Sequence, residues 1–292
     1  MRHVSGDGAN AQGGFVSSSP TVQATPTDGT DSGKKDKGKK DKGKKDKKDK
    51  KKSDSLPGGP AGTVMLSLSD DGTAVRGVRG TCEEHNDASV EISTDTGESF
   101  DDVTPGLTSV LHVEAVSDSE VWVVGTDSDC EPRRFETDDL GRTWDESSAD
   151  GSWYLDADDA SKVHGTKGKA DPGCTPVSVI VVDSEVARAG CDDGTVRGTD
   201  DGGKEWVTLG SLPDDLGALT YDGPSNAYGL APTDGCTGQV FESSDGGSEW
   251  DEAGCIDGDD LQAIAANEDA VIAQVDGKVF RSTDDGQTWE KA

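Results

Sequence analysis

The stretch Ser282-Thr-Asp-Asp-Gly-Gln-Thr-Trp289 is the last of five copies of one eight-residue phrase. Each copy contains a hydroxyl residue, any residue, Asp, any residue, Gly, two further residues of any type, and an aromatic residue. The earlier copies begin at Ser93, Thr137, Thr199 and Ser243, so successive copies start 44, 62, 44 and 39 residues apart. A phrase that returns at a period near forty residues is typical of proteins built from repeated structural units.

The phrase has the chemistry of a tight turn between two strands. The Asp side chain can accept hydrogen bonds from backbone N–H groups just ahead of it, and the Gly can adopt a positive φ without steric cost. The aromatic residue then begins the next strand and enters an apolar layer. We therefore predict a structural role for the Asp, Gly and aromatic residues of all five copies: Asp95, Gly97, Phe100, Asp139, Gly141, Trp144, Asp201, Gly203, Trp206, Asp245, Gly247, Trp250, Asp284, Gly286 and Trp289.

Short strand-like runs precede every copy of the phrase. In the second repeat these runs are Ser109–Val116, Val121–Val124 and Arg133–Glu136. The first two runs are almost continuously apolar, which is expected for strands that are covered on both faces. With the strand that follows the phrase, each repeat therefore contains four short strands.

Four strands per repeat predict an all-β protein, namely a β-propeller of five four-stranded blades around a central channel over residues 61–292. The gap before the third copy is longer than the other gaps, and the excess lies in residues 149–173. These residues form either a long loop or extra hairpin, or a sixth blade that lacks the phrase. Six blades are therefore the alternative prediction.

The phrase resembles the Asp-box, also called the bacterial neuraminidase repeat, which occurs in sialidases, sortilin-type receptors and photosystem II assembly factor-like propellers. In those families the box joins the third and fourth strands of a blade and is structural, and the resemblance implies the same role here. The assembly factor-like and sortilin-type propellers bind other proteins or peptides. The resemblance covers residues 62–292 and implies a propeller that binds a partner.

Catalysis by a sialidase mechanism would require residues that this sequence does not supply. Sialidases carry an aromatic-Arg-Ile-Pro motif near their start, and that motif is absent. They also use a Tyr–Glu nucleophile pair, for which the candidate tyrosines are Tyr154, Tyr221 and Tyr228. No catalytic residue is assigned from the resemblance.

Other enzyme signatures are also weak. The carboxylate pairs at positions 158–159 and 259–260 could take part in glycoside hydrolysis, but such pairs arise from composition alone in a chain this rich in Asp. The sequence has no Gly-rich phosphate loop and no Cys-x-x-Cys, so neither a cofactor nor a metal is expected. The leading hypothesis is a non-catalytic module that binds a protein or glycan ligand or acts as a scaffold. The alternative is a secreted glycoside hydrolase that acts at the channel mouth.

Six cysteines lie within the repeats, and this even number predicts three disulfides and an oxidising compartment. Many pairings are open to six cysteines, but position within the repeat narrows the choice. Some cysteines follow the second strand of a repeat and the others precede a first strand, and both kinds of loop lie on the rim opposite the repeated phrase. We predict the pairs Cys82–Cys130, Cys174–Cys191 and Cys236–Cys255, with buried free thiols in a cytosolic protein as the alternative.

Residues 1–60 have a different composition from the repeats. Ser17–Ser32 is rich in Ser, Thr, Pro and Gly, and Lys34–Lys52 contains thirteen lysines interrupted by Asp and Gly. So few apolar residues cannot bury enough surface to order the segment, which predicts a disordered tether. The alternative is that the lysines bind an anionic surface.

The formal net charge of −31 is divided unevenly, with +6 in residues 1–54 and −37 in residues 55–292. An acidic propeller repels nucleic acid, so we expect no nucleic-acid partner. We expect a soluble monomer. The chain has no apolar run like that of a signal peptide or a membrane helix. Because a tether that leads into a disulfide-bonded domain is typical of exported proteins, we expect an extracellular or cell-surface location and a true N-terminal signal missing from this chain.

Overall fold

The regular structure of the protein consists of short β-strands. The structure is a computed structural model and describes residues 63–82, 87–213 and 215–292. Within these ranges no helix is long and apolar enough to cross a membrane. The tether predicted for residues 1–60 lies outside the described residues.

Six antiparallel sheets follow one another along the chain, and we number them as blades 1 to 6. Blade 1 contains β1 (Val64–Leu68), β2 (Ala74–Val78), β3 (Ser89–Ser93) and β4 (Asp101–Asp102). Blade 2 contains β5 (Ser109–Ala115), β6 (Val121–Thr126), β7 (Pro132–Thr137) and β8 (Asp145–Ser148). Blade 3 contains β9 (Tyr154–Leu155), β10 (Val163–Gly165) and β11 (Gly168–Ala170).

The remaining three blades each have four strands. Blade 4 contains β12 (Pro176–Val181), β13 (Ala187–Cys191), β14 (Thr195–Thr199) and β15 (Val207–Ser211). Blade 5 contains β16 (Ala218–Asp222), β17 (Asn226–Thr233), β18 (Cys236–Ser243) and β19 (Asp251–Ile256). Blade 6 contains β20 (Leu261–Asn267), β21 (Ala270–Val275), β22 (Lys278–Ser282) and β23 (Glu290–Lys291).

The blades form a closed ring in which the first strand of every four-stranded blade faces the central channel. Strand β1 lies against β5 on one side and against β20 on the other, so the first and last blades are neighbours. Leu68 and Ala74 of blade 1 share an apolar cluster with Ala265 and Ile272 of blade 6. The ring therefore closes through side-chain packing between blades, and in the described residues each blade is made from one continuous segment.

The outermost strand of each blade is its most exposed strand. Every residue of β6 and β21 is buried, whereas every residue of β8 is exposed. An inner strand is covered by blades on both faces, which explains why its sequence is apolar at successive positions rather than alternating. The apolar clusters lie between adjacent blades, as where Val75 and Val90 of blade 1 meet Val110 and Val123 of blade 2.

Blade 3 has three strands and corresponds to a blade without its first strand. Its innermost strand, β9, lies against β5 and β12, and Leu155 lines the channel. The N–H of Lys167, in the turn between β10 and β11, donates to the carbonyl oxygen of Gly202 in the repeated phrase of blade 4 (3.4 Å). This turn thus occupies the place that the phrase occupies elsewhere, and residues 149–153 cross the blade without pairing in a sheet.

The prediction of an all-β propeller is confirmed, and of the two predicted blade counts the structure has six. Five blades carry the repeated phrase, and residues 149–173 contain all three strands of the one blade without it, blade 3, rather than a loop alone. The predicted strand bounds of the second repeat differ from β5, β6 and β7 by at most two residues at either end.

The two rims of the ring carry different features. The turns formed by the repeated phrase lie beside the hairpins that join first and second strands: the N–H of Thr96 donates to the carbonyl oxygen of Gly72 (3.2 Å), and that of Gly246 to Ser225 (2.8 Å). We call this side the turn rim. The loops between second and third strands and the links between blades lie on the opposite side, which we call the disulfide rim.

Candidate binding site at the disulfide rim

The five copies of the phrase are turns between third and fourth strands, and they share one hydrogen-bond pattern. In the second copy the Thr137 hydroxyl donates to Asp139 Oδ1 (2.9 Å) and accepts from the N–H of Gly141 (2.9 Å). The N–H and hydroxyl of Thr143 donate to the same carboxylate at 2.8 and 2.9 Å. The bonds that join the hydroxyl residue, Asp and Gly recur in the other four copies. The five carboxylates are therefore used inside their own turns.

Each turn needs two consecutive residues with positive φ, and the sequence pattern reveals only the second. In the second copy Leu140 has φ 59° and Gly141 has φ 78°. A side chain at Gly141 would also collide with Val103 of blade 1, because a Cβ atom there would lie 2.5 Å from the Cβ of Val103. The Gly of the phrase thus meets both a backbone and a packing requirement.

The hydrogen bonds stabilise the ionised form of the turn aspartates. The hydrogen bond from the N–H of Thr143 is the main cause that lowers the pKa of Asp139. The hydrogen bond from the Thr288 hydroxyl is the main cause that lowers the pKa of Asp284. The pKa values of Asp201 and Asp245 are lowered chiefly by backbone N–H donors. Burial is the largest influence at Asp95 and raises its pKa, but the hydrogen bonds together outweigh it and the pKa is lowered.

The aromatic residue of each copy packs against an apolar cluster. Trp144 contacts the cluster between blades 1 and 2, and its indole N–H donates to the carbonyl oxygen of Val103 (2.9 Å). Trp250 and Trp289 donate to the Gly of their own turns at 2.9 Å. These rings are only partly buried, since one edge remains at the turn rim.

Three disulfides lie on the opposite rim, and the described residues contain no free cysteine. They join Cys82 to Cys130, Cys174 to Cys191 and Cys236 to Cys255, with Cα–Cα distances of 5.7, 5.9 and 6.0 Å. These are the pairs that the sequence analysis predicted. The first links neighbouring blades 1 and 2, the second joins the segment before β12 to the end of β13, and the third joins strands β18 and β19 of blade 5.

The central channel is narrow, and most of the residues that line it have apolar side chains. It holds a cavity of about 120 Å³ lined by the first strands of five blades and by Leu155. Ligand sites usually have volumes of roughly 300–1,000 Å³, so the cavity is too small for a sugar chain or a peptide. Any ligand of that size must therefore be contacted on a rim.

A polar cluster lies at the channel mouth on the disulfide rim, and its centre is Asp156. His164 Nε2 lies 2.7 Å from Asp156 Oδ2, and Lys169 Nζ lies 2.9 Å from the same oxygen. Arg79 Nη2 of blade 1 donates to the backbone carbonyl oxygen of Asp156 (2.8 Å). The ring of Tyr154 stacks on that of His164 with 4.4 Å between centroids. Blades 1 and 3 thus contribute to one arrangement of charged and aromatic groups.

The cluster is only partly accessible to a ligand. The Asp156 side chain is 7% exposed, whereas that of Lys169 is 45% exposed. Burial raises the pKa of Asp156, but hydrogen bonds from Lys169, His164 and two backbone N–H groups outweigh it and the pKa is lowered. Asp156 is thus an ionised anchor for its neighbours, while Lys169 presents further N–H donors at the surface.

The candidate tyrosines and carboxylate pairs have separate surroundings. Burial raises the pKa of Tyr221 to about 12, and its hydroxyl donates to the carbonyl oxygen of Gly246 (3.0 Å). The carboxylate of Asp159 accepts from the N–H and hydroxyl of Ser161. Burial, followed by the charge of Asp276, raises the pKa of Asp260.

Sequence reasoning missed the cluster around Asp156. Arg79 and Asp156 are 77 residues apart, and three of the other members belong to the blade that lacks the phrase. The one available signal was the apolar run 153–155 within the long gap, which would have placed a strand directly before Asp156.

Comparisons with known proteins give structural similarity at low sequence identity. No protein-family model matches the chain, and no curated protein matches it. Among solved structures, YCF48 bound to D1 peptide is 18% identical over 82% of this chain and 68% of that chain, with a TM-score of 0.35. A mutant of the Aleuria aurantia lectin in complex with Fucalpha1-6GlcNAc is 12% identical over 79% of this chain and 94% of that chain, with a TM-score of 0.48.

An enzyme is also among the similar structures. The GH74 xyloglucanase from Xanthomonas campestris is 14% identical over 81% of this chain, with a TM-score of 0.34. This chain spans only 38% of the length of that enzyme. The similar structures thus include a peptide-bound protein, a lectin and a glycoside hydrolase, each with a TM-score below 0.5.

Proposed function

We propose that residues 61–292 are an Asp-box β-propeller that acts outside the cytoplasm as a monomeric, non-catalytic module. It binds a protein or glycan ligand or acts as a scaffold, and the disulfide rim is its contact surface. The five boxes are structural on this proposal, and residues 1–60 tether the propeller. The composition of residues 1–60 supports the tether, and the three disulfides support the location.

The single observation that carries the proposal is the contrast between the rims. On the turn rim, the repeated aspartates are saturated by hydrogen bonds from their own turns. On the disulfide rim, covalent bonds tie down the backbone, and Lys169, which has three N–H donors, presents unshared donor capacity beside a buried anchor, Asp156. A surface that is rigid before binding loses less conformational entropy on binding, which favours affinity.

The geometry also supports binding over catalysis in the channel. Hydrolysis of a glycoside needs two carboxyl groups on either side of the scissile bond, with a separation of roughly 5–9.5 Å. Among the described residues, Glu114 is the one carboxylate that lines the cavity, and its Oε2 lies 3.2 Å from His112 Nε2. The cavity of about 120 Å³ leaves no room for a sugar between two such groups.

The test is a search for a ligand with matched variants. The full-length protein is applied to a glycan array and to a displayed peptide library, and the best ligand is titrated against Lys169→Gln and Lys204→Gln. Both substitutions remove one lysine charge, but the Lys169 ammonium lies beside Asp156, whereas Lys204 belongs to the repeated turn of blade 4 on the turn rim. We expect weaker binding by Lys169→Gln alone. A loss confined to Lys204→Gln would contradict the proposed contact surface.

A second assay separates binding from catalysis. The protein is incubated with fluorogenic glycosides that include sialosides, xyloglucan fragments and fucosides, and we expect no turnover. Turnover that Asp156→Asn abolishes would establish a glycoside hydrolase at the channel mouth in place of a binding module. For the location, thiol counting on protein from the native host should find no free cysteine, whereas six free thiols would place the protein in the cytosol.

A further inference from the structure

A second pocket opens on the turn rim between blades 5 and 6. Its volume is about 320 Å³, within the range of ligand sites. Among the residues that the structure describes, no basic side chain lines it. Its lining consists of Asn226, Tyr228, Glu242, Ser243, Ser244, Asp245, Glu249, Asp251 and Asp285.

Most of its carboxylates are not neutralised by the protein itself. Asp245 is occupied within its own turn, and Glu242 accepts one long hydrogen bond from the side-chain amide of Gln287 (3.4 Å). Among the described residues, no side chain or backbone N–H group donates to the carboxylates of Glu249, Asp251 and Asp285, and none of the three takes part in a salt bridge. A negative potential therefore collects at the pocket.

Tyr228 provides an independent observation that points to a ligand. The residue is only 8% exposed, and its ring packs in an apolar cluster with Ile264, Val271 and Trp289 of blade 6. Its side chain lines the pocket, and the hydroxyl has no hydrogen-bond partner among the described residues. The ring is covered by its neighbours while the hydroxyl oxygen is not enclosed by protein, so the oxygen is available to a ligand in the pocket.

The phenol remains neutral at physiological pH. Burial, followed by the charges of Asp285 and Glu242, raises the pKa of Tyr228 to about 12. A neutral phenol oxygen is an acceptor for an N–H group. The surrounding carboxylates are also acceptors, so the ligand must be a donor with positive charge.

The equivalent place in blade 2 shows what such a ligand would replace. Trp122 pairs with Glu136 in blade 2 as Tyr228 pairs with Glu242 in blade 5. In blade 2, the guanidinium of Arg134 lies 4.2 Å from the centroid of the Trp122 ring, and its Nε donates to Glu136 (2.6 Å). The residue of blade 5 that corresponds to Arg134 is Val240, which is buried and uncharged. Blade 2 thus supplies its own cation for the aromatic and carboxylate pair, and blade 5 does not.

We propose that the pocket between blades 5 and 6 binds an organic ammonium or guanidinium group, carried by a basic peptide segment or by a free polyamine. The N–H groups of the ligand donate to the Tyr228 hydroxyl oxygen and to the pocket carboxylates, chiefly those of Glu249 and Asp251, which receive no donor from the described residues. A metal ion does not fit equally well, because no three acidic, His or Cys residues of the described chain are placed to hold one. This site lies on the rim opposite the proposed ligand surface and is independent of it.

The experiment is calorimetric titration of the full-length protein with spermine and, separately, with tetralysine at fixed ionic strength. The test variant is Glu249→Gln/Asp251→Asn. The matched control is Asp145→Asn/Asp200→Asn, which removes two exposed carboxylates elsewhere on the ring. Tyr228→Phe keeps the ring and removes the oxygen, so it tests the acceptor without a large change in packing. A circular dichroism melt of each variant confirms that it is folded.

We expect the test variant to bind both probes about fivefold to tenfold more weakly, since two charge-assisted interactions are lost. The control should weaken binding by less than about twofold, because distant surface charges are screened. Tyr228→Phe should weaken binding measurably in a folded protein. Tighter binding of tetralysine than of spermine would indicate a peptide source, and the reverse would indicate a polyamine.

Three results would overturn the proposal. The first is that neither probe binds. The second is that both double variants lose affinity equally, which would mean that the probes are attracted to the general negative charge of the domain. The third is that CaCl₂ displaces spermine more effectively than NaCl of equal ionic strength, and that Ca²⁺ binds directly with an affinity that also depends on Asp251. That result would indicate a metal site.

Discussion

Arg79 of blade 1 donates its guanidinium to the backbone carbonyl oxygen of Asp156 in blade 3, at 2.8 Å, although blade 2 lies between them in the ring. Burial lowers the pKa of Arg79 and the charge of Asp156 acts in the opposite direction, but arginine remains protonated in proteins. The bond therefore joins a cation to the blade that carries the Asp156 cluster. It makes the channel mouth a shared product of two blades that are not neighbours.

We expect Arg79→Ala to lower the free energy of unfolding by about 1–2 kcal/mol, because a charge-assisted hydrogen bond is lost and the carbonyl oxygen of Asp156 loses its donor. Urea unfolding of the two proteins measures the difference. Arg142→Ala serves as the control, since Arg142 is exposed on the turn rim. Equal effects of the two substitutions would show that the bond across blade 2 contributes nothing to stability.

The second prediction concerns the repeated turn. Asp139→Ala removes the acceptor of three hydrogen bonds, so the melting temperature should fall by on the order of 2–4 °C. Asp138→Ala is the matched control, because Asp138 is the adjacent residue and its side chain is exposed. A melting temperature unchanged in both variants would remove the structural role that we assign to the boxes.

The third prediction is the effect of acid on stability. The turn aspartates have pKa values lowered by folding, so their contribution is complete above the unfolded value of about 3.9 and is lost as the pH falls through the folded values. Asp260 has a raised pKa and acts in the opposite direction. We therefore expect a steep loss of stability below about pH 4.

Thermal unfolding measured between pH 7 and pH 3 at constant ionic strength gives this profile. Asp139→Ala should have a shallower loss below about pH 4 than the unchanged protein, because one of the linked groups is absent. Parallel profiles for the two proteins would show that Asp139 is not linked to folding.

The disulfides give a fourth prediction, which depends on loop length. Cys82–Cys130 closes a sequence separation of 48 residues and Cys236–Cys255 one of 19. On the chain-entropy account, removal of the first pair as a double alanine variant should cost about 1 kcal/mol more than removal of the second. Denaturant unfolding under oxidising conditions compares them, and a larger cost for the shorter loop would mean that local packing outweighs chain entropy.

Much of the fold follows from short-range chemistry, which is why the sequence predicted it. The turn at Asp139 is specified by residues within a few positions, and the inner strands β5 and β6 are specified by their continuous apolar runs. The disulfide pairs were predictable because each cysteine had a known position within a repeating unit. The six-blade count could be given only as an alternative, since the turn at 165–168 lacks the phrase.

The candidate sites depend on contacts between distant parts of the chain. Nothing near Arg79 indicates that it reaches Asp156, because that contact depends on the position of blade 3 in the ring. The pocket at Tyr228 likewise depends on Asp285 of the next blade. Its one local signal is a comparison of repeats, in which the place of Arg134 is taken by Val240.

Blade 3 determines in how many orientations a partner can bind to the ring. The other five blades offer similar outlines at successive angles around the axis, so a ligand that recognised only them could settle in several rotated poses. Blade 3, which lacks one strand, differs in shape from the other blades and so makes one angular position around the axis unique. A partner that contacts blade 3 and the channel mouth beside it would be held in a single orientation.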